Sequence, residues 1–179
     1  MSGPASPVAI GGAALALVLL VLVQVVWLSA LPTPAAVPDL VLVAVLAVAV
    51  SRGPLAGGLT GVWAGLLLDL VPPAAGPLAG WTLVLGGAGA ALGRAAEAIR
   101  PGPFASMGLV AAGTGLTVLA REGVLWFAGD PVRGDALVIA LASAGYAVLL
   151  APIALLVVSP RQPRATAPVR TVPPEVAAS

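Results

Sequence analysis

Pro38-Asp39-Leu40 opens an apolar run that continues to Val50, and Ser51-Arg52-Gly53-Pro54 interrupts it. The following run, Leu55 to Val71, carries Gly57, Gly61, Gly65 and Asp69 at successive steps of four residues. Steps of four drift slowly around a helix axis, so the three glycines and the aspartate share one stripe. The stripe is a groove without side chains that ends in a carboxylate. In a bilayer such a groove admits a second helix closely, and dispersion contacts hold it.

Working outward, the chain resolves into six apolar segments. Helices are expected over 8–31, 37–51, 54–71, 77–93, 104–128 and 135–158, forming one domain over 1–158. Leu31-Pro32-Thr33-Pro34 and Pro72-Pro73-Ala74-Ala75-Gly76-Pro77 break the chain between them, because proline removes a donor and restricts the residue before it. Gly129-Asp130-Pro131 marks another turn. Residues 159–179 carry Arg161, Arg164 and Arg170 among five prolines without apolar periodicity, and a disordered tail is expected there. The Val8–Leu31 run exceeds the ~7–15 apolar residues of a signal peptide and has no Lys or Arg before it, so a retained span is expected.

Composition agrees with a membrane class. The chain is 60% hydrophobic and 8% charged, where soluble domains carry roughly 25% charge, and its mean hydropathy is +1.10. A net charge of +1 gives no basic surface for nucleic acid. Histidine and cysteine are both absent, which excludes Ser-His and Cys-His nucleophilic pairs, His- or Cys-ligated zinc and disulfides. No phosphate-cradling or dinucleotide motif occurs. No catalytic residue, cofactor or metal site is expected. An intramembrane enzyme would need a carboxylate dyad such as Asp69 with Glu122, and nothing in their spacing calls for one.

The arginines set the expected orientation. Six crossings place Arg52, Arg94, Arg100, Arg161, Arg164 and Arg170 on one side and Arg133 on the other. Arginine excess marks the cytoplasmic face, so both termini are expected inside.

Four polar residues stand out as candidate functional groups: Asp39, Asp69, Arg121 and Glu122. Asp39 follows Pro38 and reads as a helix N-cap. Asp69 sits at a helix C-terminus, where the macrodipole disfavours negative charge, so a donor or an arginine from a neighbouring helix should compensate. Arg121 and Glu122 point ~100° apart and do not simply neutralise each other. Arg121 could reach Asp69, although helical side chains lean the other way. Gln24 reads as an interhelical hydrogen bond. Trp27, Trp81 and Trp126 read as interfacial anchors and Trp63 as a packing residue. Gly57, Gly61 and Gly65 form a helix-packing face, for this chain's own helices or for a partner.

The order Pro38-Asp39-Leu40, apolar helix, Arg52-Gly53-Pro54, then Gly61-Val62-Trp63-Ala64-Gly65-Leu66-Leu67-Leu68-Asp69-Leu70 resembles the MreD family of rod shape-determining membrane proteins. The resemblance covers Pro38 to Trp81; elsewhere only the number and order of apolar segments agree. It implies an all-α, polytopic six-helix bundle like the substrate-binding subunits of vitamin transporters. It also implies a non-catalytic scaffold in the inner membrane. The partners implied are the lipid bilayer, an MreC-like protein, the actin-like MreB filament and peptidoglycan-synthesis enzymes. The competing expectation is a substrate-binding subunit of a vitamin-type transporter, which needs several polar groups converging on a ligand. Gln24, Thr82, Thr114, Thr117, Arg121, Glu122, Ser143 and Tyr146 are the groups on offer.

Overall fold

The computed structural model describes residues 7–28, 39–70, 79–131 and 133–158. Six α-helices account for most of them: α1 (Pro7–Val23), α2 (Leu40–Arg52), α3 (Pro54–Asp69), α4 (Gly80–Ile99), α5 (Pro103–Phe127) and α6 (Ala136–Val158). α1 runs on into a π-helical turn, Gln24–Leu28. The described residues contain no strand, so the all-α expectation holds. The breaks at Pro32–Pro34 and Pro72–Pro77 and the tail 159–179 lie outside the described residues.

α2 is the axis of the bundle. It contacts each of the other five helices. Val41, Leu42, Val43, Val45, Leu46, Ala47 and Ala49 are all buried. A helix that is apolar all round belongs in the interior. At 13 residues it spans only about 20 Å, and it is sheathed by its neighbours. Gly53 ends it with φ +86°, a left-handed conformation that favours glycine. Pro54 then starts α3 at its first turn, where the missing N–H costs nothing.

α3 and α4 form an antiparallel hairpin whose backbones nearly touch. Gly57, Gly61, Ala64 and Gly65 of α3 are buried, as are Gly86, Gly89 and Gly93 of α4. A methyl group on Gly57 would lie 2.7 Å from the Gly89 carbonyl oxygen and 2.5 Å from Ala49 Cβ. On Gly61 it would strike the Leu85 carbonyl, and on Gly65 the backbone of Thr82. The stripe seen in the sequence is therefore filled by α4 of the same chain. α4 contributes its own small residues at steps of three and four, which is why neither backbone is held off.

α4 reaches Ile99, six residues beyond the Gly93 end expected from the sequence. Arg94 and Glu97, beyond the expected end, are part of the helix. Both are exposed, so their charges cost the helix little. Arg100 closes it in a left-handed conformation.

The outer surface reverses the usual pattern of a soluble protein. α6 buries Ala136, Ala140, Ser143, Ala147 and Ala151 and turns Leu137, Leu141, Leu149 and Leu156 outward. α3 buries glycine and exposes Leu55, Leu59, Trp63 and Leu66. Trp63, expected as a packing residue, is 62% exposed and stands opposite the glycine stripe. Monomeric soluble proteins rarely expose contiguous apolar patches beyond a few hundred Å². By length and hydropathy, α5 and α6 are the two described helices able to cross a membrane on their own. α2 and α3 are too short at 13 and 16 residues, and α4 is diluted by glycine, Arg94 and Glu97.

Candidate functional site at one end of the bundle

Gln24, Asp39, Asp69, Thr82, Arg121 and Glu122 lie toward the end of the bundle where α2 and α4 begin. Gln24, Asp39 and Asp69 each accept from the orphaned N–H groups of a helix start.

At the start of α2, Leu42 N–H donates to Asp39 Oδ1 at 2.8 Å, and Val41 N–H donates to Gln24 Oε1 at 2.8 Å. Gln24 Nε2 closes the ring by donating to the same Asp39 oxygen at 2.9 Å. Asp39 is thus the N-cap that its place after Pro38 implied. Gln24 makes the expected interhelical bond and serves as a second cap. It opens the π-helical turn, a local widening that is frequent at functional sites.

At the start of α4 the cap comes from another helix. Ala79 precedes α4 and makes no side-chain cap bond. Asp69, at the last turn of α3, supplies it. Trp81 N–H donates to Asp69 Oδ1 at 3.1 Å, and Thr82 N–H donates to Asp69 Oδ2 at 3.0 Å. The Thr82 hydroxyl adds a third bond to Oδ2 at 2.7 Å. The unfavourable placement of Asp69 on its own helix is offset by the positive N-terminus of the next.

Arg121 does not pair with Asp69. Its guanidinium lies over the Trp81 ring, with the central carbon 4.4 Å from the centroid, a cation–π contact of about 0.5–2 kcal/mol. Its Nη1 is 3.8 Å from Glu122 Oε1, long for an ion pair because adjacent helical residues diverge. The structure therefore joins Asp69 and Arg121 through Trp81: the carboxylate holds its backbone and the guanidinium covers its ring. Glu122 is 8% exposed. Asp39 at the start of α2, Asp69 at the end of α3 and Arg121 and Glu122 in the last turns of α5 all belong to this end. Gly57 and Gly61 lie along the hairpin away from it, and Gly65 abuts Trp81 and Thr82.

The sequence marks Trp81 as an anchor and Thr82 as one polar group among several, and does not show their joint role. The available signal was a helix start without a Ser, Thr, Asp or Asn before it, which requires an acceptor from elsewhere. Two further hydroxyls bond back to their own helix: Thr114 donates to Val110 O at 2.9 Å and Thr117 to Gly113 O at 2.7 Å. Among the described residues no three acidic groups gather to hold a metal ion. Chemically, the arrangement commits two carboxylates to backbone donors: one set of bonds joins α1 and its π-helical turn to α2, the other joins α3, α4 and α5.

The Gln24–Asp39 ring makes a measurable claim. Gln24→Leu should lower stability by about 1–3 kcal/mol, since it strands the Val41 N–H. Asp39→Ala should cost a similar amount. The double variant should cost less than the two together, with a coupling above ~0.5 kcal/mol in detergent unfolding. Strict additivity would show that the ring does not act as a unit.

No family model matches this chain, and neither the curated proteins nor the solved structures contain a significant match to it.

Proposed function

We propose that the chain is a polytopic inner-membrane scaffold of the MreD kind, with six crossings and both termini cytoplasmic. In this reading it has no catalytic role and holds partner membrane proteins within the machinery of lateral wall synthesis. The observation that carries the membrane part is the inversion of α3 and α6: their small residues are packed inside and their large apolar ones are turned outward. Interiors of small residues suit bilayers, where close backbone approach replaces a hydrophobic driving force. The specific function rests on the resemblance over Pro38 to Trp81.

Two further features support the reading. Arg52 donates to the Val158 carbonyl at 3.3 Å, which sets the α2–α3 corner beside the end of α6. Arg94 and Arg100 close the neighbouring corner, so three of the five described arginines stand at that end, against Arg121 and Arg133 at the other, a bias that the positive-inside rule reads as cytoplasmic. The short helices α2 and α3 are accommodated by sheathing and by local bilayer thinning, at fractions of a kcal/mol per Å. The transporter alternative is weakened because Thr82, Thr114, Thr117 and Gln24 bond within the bundle, leaving few polar groups to converge on a ligand.

Because the glycine stripe is filled, partner contact falls to outward faces, and the back of α3 with Leu59, Trp63 and Leu66 is the first to test. The experiment is co-purification from gently solubilised membranes, comparing wild type with Trp63→Ala. Wall-synthesis proteins recovered by wild type and depleted in the variant support the scaffold. An ATPase module recovered instead overturns it in favour of transport. Topology is checked separately. The chain has no cysteine, so Gly102→Cys and Gly134→Cys, where an added Cβ meets nothing within 4 Å, report single sites. In intact cells an impermeant maleimide should label Gly134→Cys only; label on Gly102→Cys would reverse the orientation.

A further inference from the structure

The face of α4 turned away from α3 meets α5 across an open groove of about 550 Å³. It exists because the facing residues are small: Gly87, Ala91 and Ala95 on α4, Gly113 and Thr117 on α5. Its one polar side chain is Thr117, whose hydroxyl is already donated to Gly113 O. The walls offer nothing to water or to a polar solute, so the occupant is apolar.

The dimensions discriminate between apolar occupants. From Leu83 to Ala95 the groove follows α4 through twelve residue steps, about 18 Å. One leaflet of a ~30 Å hydrocarbon core is about 15 Å deep, the reach of a single acyl chain. A helix with side chains, ~10–12 Å wide, takes up about three times 550 Å³ over that length, so most of it would stand outside the groove, whereas a single acyl chain is of the right bulk to lie in it.

A charge stands at the rim. Arg94 follows Gly87 by seven residues, which returns it to within about 20° of the same line. It is exposed, and no carboxylate among the described residues lies within ion-pair distance of it. Arg100 is exposed just beyond. A narrow apolar channel ending at free cations selects a molecule with one long hydrocarbon chain and an anionic head.

We infer that the α4–α5 groove holds one acyl chain of an anionic phospholipid, with Arg94 pairing its phosphate. The inference rests on the membrane reading above. The bound lipid fills the splay between α4 and α5 and completes that wall of the bundle.

The test is native mass spectrometry of the full chain, purified in mild detergent, delipidated, then offered phosphatidylglycerol or phosphatidylcholine in mixed micelles. Wild type should retain one phosphatidylglycerol. Arg94→Gln should weaken that binding about fivefold, the worth of one surface arginine, and leave phosphatidylcholine unchanged. Gly87→Trp should abolish both: a Cβ there meets nothing within 4 Å, so the indole fills the channel without moving backbone. Circular dichroism and unfolding checks that each variant is folded. A folded wild type without lipid overturns the inference, as does equal phosphatidylglycerol binding by Arg94→Gln. Disulfide-linked dimers of Ala91→Cys in membranes would place a second copy there and also overturn it. Recovery of the chain in the soluble fraction would instead sink the membrane reading, an outcome fractionation reports before any lipid is added.

Discussion

Replacing Gly61 by alanine is expected to destabilise the bundle by about 3 kcal/mol or more, although alanine is the better helix former. Two effects oppose each other. Helix propensity favours alanine by about 1 kcal/mol. Overpacking costs about 1–3 kcal/mol where side chains can shift, and here they cannot. The new methyl would meet the Leu85 carbonyl, with the Gly86 nitrogen 2.9 Å away, so two backbones must part. Gly87→Ala provides the contrast. The same chemical change on the facing helix meets nothing within 4 Å, and it should be neutral or stabilising by up to about 1 kcal/mol. Thermal unfolding of both variants in one detergent decides the matter. Equal behaviour would mean that the hairpin is not closely packed in solution.

The second large effect is at Asp69. Asp69→Ala should cost about 2–4 kcal/mol, because it removes the acceptor of two backbone N–H groups and a hydroxyl in a half-buried place. The loss should be local before it is global. Amide exchange at Trp81, Thr82 and Leu83 should accelerate about a hundredfold or more, while α6 changes only as much as overall stability does. Asp69→Asn keeps one carbonyl oxygen and should lose about half as much. It should leave the hairpin intact and show whether the negative charge matters to more than α4. Should α4 exchange stay unchanged in Asp69→Ala, the capping role fails. Such an outcome would return Asp69 to the list of groups free to act on a ligand.

The second prediction also marks where sequence reading stops. The position of Asp69 on a helix C-terminus showed that some donor had to compensate it. Which donor depended on a hairpin whose turn joins α3 to α4 and on where α4 begins. The candidate arginine, Arg121, went instead to the face of Trp81, a choice between two neighbours that spacing cannot weigh. In the same way, the steps of four at Gly57, Gly61 and Gly65 announced a close approach without naming the partner. The matching glycines of α4 settle that the partner is internal.

By itself the sequence determined the helical class, the six apolar segments, the corner at Gly53-Pro54 and the cap at Asp39. Each of these follows from interactions within a turn or two of helix, where the backbone geometry is known in advance. Tertiary structure alone decided that α2 is the axis, that α4 extends through Arg94 and Glu97 to Ile99, and that Trp63 faces outward. It also brought Asp69, Trp81 and Arg121 together and opened a groove between α4 and α5. Those outcomes depend on which small faces meet. A face made of glycine and alanine specifies how near a neighbour can come, and only the whole bundle specifies which neighbour it is.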